Sequence, residues 1–126
     1  MANRPSYVKQ MDEALAGLAG SRPRLVLHAC CAPCSSSVLE LLERHFAVTV
    51  LYYNPNTWPE AEYARRLAEL RRFLQQSGRQ ALPLKDEGYR PGEFYAAVAG
   101  LEGEPERGGR CTVCYRLRME RAAAYA

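Results

Sequence analysis

The sequence predicts an α/β fold: a Rossmann-like three-layer domain built on a short parallel sheet. Three observations carry that prediction. Short apolar runs alternate with helical stretches in the order strand, helix, strand, helix, strand. The runs Arg24–His28 (RLVLH) and Phe46–Tyr53 (FAVTVLYY) are rich in β-branched and aromatic residues and too short for core helices. Roughly a dozen or more residues separate consecutive strands, which is what a parallel crossover requires.

The elements follow in order. Tyr7–Leu18 places Val8, Met11, Leu15 and Leu18 on one helical stripe, and Gly20-Ser21-Arg22-Pro23 ends it. Arg24–His28 is the first strand. Pro33 suits the first turn of a helix, which is predicted to run to His45. Phe46–Tyr53 is the strongest strand signal. The prolines of Asn54–Pro59 mark a stiff loop. Glu60–Gln76 is a helix with Tyr63, Leu67, Leu70 and Leu74 on its apolar side. Ala81–Leu84 is predicted as the third strand and Gly88–Gly92 as a turn. Glu93–Leu101 is a short helix, Glu102–Arg110 a polar loop, and Cys111 opens the last helix. Three strands are few for a parallel sheet, and Cys111–Ala126 stops mid-helix with no capping glycine. Further C-terminal strand–helix units are therefore expected beyond this chain.

The chain has 126 residues, 48% hydrophobic and 25% charged, which fits one globular domain and excludes disordered and collagen-like classes. Residues 1–22 are read as an N-terminal helix and linker, and 23–126 as the domain proper. The longest apolar run, Ala47–Tyr53, is broken by Thr49 and falls far short of the ~20 residues that span a bilayer. Met1–Gln10 is polar, with no apolar export core, so a cytoplasmic setting without a membrane partner is expected. The net charge of +3 is too weak to imply nucleic acid by itself. Arginine makes up 15 of the 17 basic residues, however, and its fork suits phosphates and base edges better than lysine.

Five cysteines without an export signal point to metal or thiol chemistry rather than structural disulfides. They fall into two groups, Cys30-Cys31-x-x-Cys34 and Cys111-x-x-Cys114. Each lies at a loop-to-helix junction, where the helix N-terminus favours thiolate. Residues i and i+3 share a helix face, so Cys111 and Cys114 can ligate together. Thiolates in fours select zinc or an iron–sulfur cluster. Cys31-Ala32-Pro33-Cys34 after a strand also fits a dithiol–disulfide oxidoreductase. Spacing leaves the three open, although five thiols exceed what a closed zinc site or a dithiol needs.

Parallel sheets bind ligands beyond the carboxyl ends of their strands. Cys30 and Cys31 stand at the end of the first strand, and Asn54 and Asn56 at the end of the second. The stretch Tyr52–Pro59 combines aromatic rings with amides, which can stack a base and bond its edges. Core packing of the tyrosines and turn formation by the asparagines account for it equally well. Arg65, Arg66, Arg71 and Arg72 form either a phosphate-contacting stripe or a solvated helix face. His28 reads as a hydrogen-bonding core residue rather than a ligand. No phosphate-loop or dinucleotide glycine motif is present.

Three blocks together resemble one family. HxCCAPCSS at His28–Ser36, YYNPNxxPxxEY within Tyr52–Arg65 and GLExEPERGxRCxxCYxxRxE at Gly100–Glu120 are similar to the cobalamin-independent epoxyqueuosine reductases. The resemblance implies an oxidoreductase that converts epoxyqueuosine to queuosine at the tRNA wobble position, served by an unidentified electron donor. It implies a [4Fe-4S] cluster on Cys30, Cys31, Cys111 and Cys114. Cys34 matches a position filled in some members by Asp, which implies an additional mononuclear iron beside the cluster. Cys34, Asn54 and Asn56 are then the expected catalytic group, Tyr53 a wall of the base pocket, and Arg107 and Arg110 phosphate contacts. The alternatives are a zinc-stabilised RNA-binding module and a dithiol oxidoreductase.

Overall fold

The computed structural model describes residues 4–126. Residues 1–3 of the expected N-terminal segment lie outside them. The elements are α1 (Tyr7–Gly17), β1 (Arg24–His28), α2 (Ala32–Leu42), β2 (Ala47–Tyr52), α3 (Glu60–Gln76), β3 (Leu84–Asp86), α4 (Pro91–Ala97) and α5 (Gly109–Tyr125). Among the described residues the sheet has three parallel strands in the order β1-β2-β3, so the predicted α/β class holds. Leu27 pairs with Val50 and His28 with Leu51, and Val50 with Leu84 and Tyr52 with Asp86.

Alternation along β2 makes two packed faces. Val48, Val50 and Tyr52 point to one side, where they form a core with Leu39 of α2 and Tyr63, Leu70 and Leu74 of α3. Burying each of these aliphatic side chains stabilises the fold by roughly 1.5–3 kcal/mol. Leu51 and Tyr53, fully buried, belong to the opposite side, where α5 packs on β1 and α4 on α5. Helices on both faces give the three layers. Tyr63 Oη donates to Asp86 Oδ1 at 2.6 Å, tying α3 to β3.

Several boundaries differ from expectation. The third strand begins at Leu84 rather than covering Ala81–Leu84. Leu82 N–H closes a turn onto the Arg79 carbonyl at 3.0 Å, and Pro83 has no N–H to give a ladder. Pro83 contributes only its carbonyl, which accepts from Val50 N–H at 2.9 Å. The second helix ends at Leu42, because His45 and Phe46 N–H both turn back to the Leu42 carbonyl. The second strand runs Ala47–Tyr52, since the Tyr53 carbonyl is taken by the His28 ring instead of a neighbouring strand. The fourth helix starts two residues early at Pro91, which has no N–H to leave unpaired there, and stops at Ala97. The last helix starts at Gly109, so Arg110 lies in its first turn and not in the loop. The stripe on α1 is covered only at its end: Val8 is 66% and Met11 37% exposed, while Leu15 and Leu18 are half-buried. Among the described residues no helix is long and apolar enough to cross a membrane.

Candidate metal centre at the strand ends

Three hydrogen bonds stitch the carboxyl end of β1 to that of β2. Ala29 N–H donates to the Leu51 carbonyl at 3.0 Å. His28 Nε2 lies 2.7 Å from the Tyr53 carbonyl, which fixes the proton on that nitrogen. Asn54 Nδ2 donates to the Ala29 carbonyl at 3.0 Å. Burial, opposed by the Tyr53 bond, holds the His28 ring below its usual pKa and keeps it neutral. His28 is thus a scaffold residue, as its position in the sequence indicates.

Beyond this seam the chain enters α2. Cys31 is its N-cap in extended conformation, Pro33 sits in its first turn, and Ser35 Oγ donates to the Cys31 carbonyl at 2.9 Å. The turn gathers the sulfurs of Cys30, Cys31 and Cys34 to within 4.8 Å of one another. Cys30 and Cys31 are half-buried, Cys34 is exposed, and all five thiols are unpaired. Hydrogen bonding from Cys34 holds the Cys31 thiol below its usual pKa, and the same contact pushes Cys34 up to about 11. Three reduced thiols converging at a helix N-terminus are a donor set that fits a soft or borderline metal.

Cys111 and Cys114 occupy one face of the start of α5 and line a cavity of about 460 Å³ together with Asn56. Cys114 is buried and Cys111 half-buried. The approach to Cys111 is shaped by Pro105–Gly108. Arg107 adopts a left-handed φ of 67° and aims its N–H at Cys111 Sγ, 3.3 Å away. Gly108 is required by space: a Cβ there would lie 2.9 Å from the Pro105 carbonyl oxygen. Among the described residues, Cys30, Cys31 and Cys34 are the only set of three or more candidate ligands within single-ion reach. The five cysteines come from two places in the chain, the loop after β1 running into α2 and the start of α5.

The remaining predicted residues separate into scaffold and surface. Tyr53 is fully buried, with its hydroxyl donating to Glu93 and its ring under Arg121, so it is not an open wall for a base. Asn54 is also buried, and its Oδ1 has no partner. Asn56 is exposed on the cavity. Arg107 is exposed, and Arg110 lines the cavity with Nη1 3.3 Å from the Glu102 carbonyl. Arg65 and Arg66 are neutralised on their own helix: Arg65 reaches Glu69 at 2.7 Å and Arg66 reaches Glu62 at 2.8 Å. They therefore form a salt-bridged helix face. The sequence reading missed Tyr95, Tyr115 and Arg118, which line the cavity. Tyr115 directly follows a cysteine and was available as a clue, whereas nothing local distinguishes Tyr95.

These features define a class: a parallel α/β domain carrying thiol ligands at the carboxyl ends of its strands. Residues 25–126 match the model of the family described as epoxyqueuosine reductase QueH, and the chain belongs to that family. Curated relatives bearing the same name include one from Haemophilus influenzae, 43% identical over 104 residues, covering 82% of this chain and 41% of the relative. One from Acinetobacter baylyi is 42% identical, covering 82% and 46%. One from Streptococcus pyogenes is 37% identical, covering 83% and 42%. The chain thus spans less than half the length of these relatives.

Proposed function

We propose that this chain is the metal-binding part of an enzyme that reduces epoxyqueuosine to queuosine at the wobble position of tRNA. The observation that carries this reading is the gathering of Cys30, Cys31 and Cys34 at the end of β1, in a chain that matches the reductase family over residues 25–126. Removing the epoxide oxygen leaves a carbon–carbon double bond, consumes two electrons and two protons, and releases water. A bound [4Fe-4S] cluster would supply the electrons singly, and an additional mononuclear iron would supply Lewis acidity. The two electrons would come from an external donor.

The chain's own residues have distinct parts in this proposal. Cys30, Cys31, Cys111 and Cys114 would hold the cluster, and Cys34 would hold the additional iron. Asn54 fixes the Cys30 loop through the Ala29 carbonyl. Asn56 presents its amide to the substrate from the cavity wall. Arg107 and Arg110 contact anticodon phosphates, where arginine forks are strongest. Tyr53 supports the pocket from behind.

Anaerobic reconstitution with iron and sulfide tests the proposal. The expected product is brown, absorbs broadly near ~400 nm, holds about four cluster irons with one more, and turns over epoxyqueuosine tRNA. A colourless chain with one tightly held zinc would establish a zinc-stabilised RNA-binding module instead. A reversible Cys31–Cys34 disulfide in an active metal-free chain would establish a dithiol–disulfide oxidoreductase.

A further inference from the structure

We propose that the cavity beside Cys111 and Cys114 seats a single unstacked nucleobase, gripped by the rings of Tyr95 and Tyr115. This rests on the reading of the chain as tRNA-directed and gives Tyr95 and Tyr115 a part in holding the base. The cavity holds about 460 Å³, within the range of small-ligand sites. Its walls carry two aromatic rings left open to water, Tyr95 at 54% and Tyr115 at 63% exposure. Tyr52, Tyr53 and Tyr63, by contrast, are packed away at 4% exposure or less. Open aromatic rings on a concave wall form an apolar patch awaiting a flat partner.

The rings are also held. The Arg118 guanidinium lies 5.0 Å over the Tyr115 ring, and Arg118 Nε lies 3.4 Å from the Cys114 carbonyl. One side of Tyr115 is thereby fixed by a cation, and the ring is presented rather than free to collapse. Phe94 backs Tyr95 with ring centroids 5.7 Å apart. Between them, Asn56 supplies an amide and Glu102 the cavity's one carboxylate, and Arg110 adds a cation. Stacking faces, edge-bonding groups and flanking arginines are the three components of unstacked-base recognition. An aliphatic ligand has no use for the last two. Enzymes acting on a base take it out of the stack, and the wobble base lies in a single-stranded loop where this costs least. Tyr53 and Asn54 cannot take this part, because both are buried behind the rim. A base seated here lies against the two thiols of α5.

The test is equilibrium binding of a fluorescein-labelled anticodon stem-loop to the whole chain, with iron content and helicity recorded for each variant. Tyr115→Ala and Tyr95→Ala are each expected to weaken binding about tenfold, the loss of one stacking face. Tyr115→Phe keeps the face and is expected to bind within about twofold of wild type. Tyr7→Ala, an exposed ring outside the cavity, is the control expected to show no change. The decisive comparison is an RNA with an abasic wobble position. Wild type should lose the same factor on that RNA, and Tyr115→Ala should then lose nothing further. Independent, multiplying losses overturn the proposal, as does full binding by both alanine variants. If Tyr115→Ala fails to fold, the same comparison with Tyr95→Ala decides. A wild-type chain that binds no stem-loop removes the tRNA reading and this site with it. A chain that binds, but without coupling between ring and base, removes this site alone.

Discussion

The guanidinium carbon of Arg121 lies 4.5 Å over the ring centroid of Tyr53, on the face of the sheet opposite the main core. Arg121 Nη2 also reaches Glu93 at 2.9 Å and Nη1 reaches Glu87 at 3.4 Å. Tyr53 donates its hydroxyl to the same Glu93 carboxylate. Burial first, and Glu93 second, push Tyr53 up to about 12, so it stays a neutral donor. One arginine thus ties the end of β2, the residue after β3, and α4 to the helix that carries Cys111 and Cys114.

Replacing that arginine tests how far α5 depends on this knot. Arg121→Ala leaves Glu87 without this cation, leaves Glu93 only the longer contact to Arg90 at 3.6 Å, and uncovers the Tyr53 ring. The expected loss is about 1–3 kcal/mol in urea unfolding. Arg121→Lys is expected to recover less than half of it, because an ammonium neither stacks flat nor bridges two carboxylates as a fork does. Full recovery by lysine would show that charge alone holds the helix.

Glu43 and Arg79 give a pH-dependent signature away from the thiols. Arg79 Nε and Nη2 grip the two Glu43 oxygens at 2.8 and 2.6 Å, joining the end of α2 to the turn after α3. The hydrogen bond from Arg79 holds the Glu43 carboxyl below its usual 4.5. The unfolded chain therefore takes up the proton first as pH falls. The stabilisation is intact above about 4.5 and is lost as pH drops from there through the lower folded value. Glu43→Gln is expected to cost about 1 kcal/mol at neutral pH and to flatten the acid limb of stability against pH. An acid limb with unchanged slope would assign the pH dependence to other carboxylates.

The contrast between what the sequence revealed and what it concealed has a physical pattern. Alternation and helical spacing are local signals, so the parallel sheet, the strand Arg24–His28 and the helix Glu60–Gln76 were readable directly. The third strand was misplaced because a Pro83 carbonyl and an Arg79 turn settled its start, and neither shows as hydropathy. The thiol positions were legible because cysteine is chemically conspicuous. Tyr53 was read as a wall of the base pocket, with core packing an equal alternative, because aromatic residues serve both, and only its partners Glu93 and Arg121, 40 and 68 residues away, decide between them. Tyr95 escaped notice because exposure beside a cavity is a property of the fold, and Tyr115, though it follows Cys114 in the motif, carried no sign that its ring stays open.

Arg107 and Gly108 separate backbone from side chain at one loop. Arg107→Gly removes the side chain but suits the left-handed φ of 67°, so equal or greater stability and unchanged metal content are expected. Its RNA binding should weaken, with the salt dependence reduced by about one phosphate contact. Gly108→Ala forces a Cβ to 2.9 Å from the Pro105 oxygen and must shift the turn that aims Arg107 N–H at Cys111. That variant is expected to lose about 1–3 kcal/mol of stability and part of its iron. Iron analysis beside a filter-binding salt series distinguishes the two, and equal metal loss in both would contradict the division.

Cys34 differs from its neighbours in being exposed while its sulfur stays within 4.8 Å of those of Cys30 and Cys31. A ligand on the open side of a thiol group is suited to an ion that exchanges, whereas enclosed ligands suit one that stays. Cys34→Ala is therefore expected to keep the cluster absorbance and about four irons, lose the additional iron, and drop epoxide turnover at least about 100-fold. Cys34→Asp should restore iron and turnover, since a carboxylate is a competent hard ligand. Cys30→Ala and Cys114→Ala should lose the absorbance altogether. Metal content, the band near ~400 nm and single-turnover product formation check the series. Full turnover in Cys34→Ala would show that the fifth sulfur takes no part in the chemistry, leaving the exposed thiol as a bystander to the two pairs.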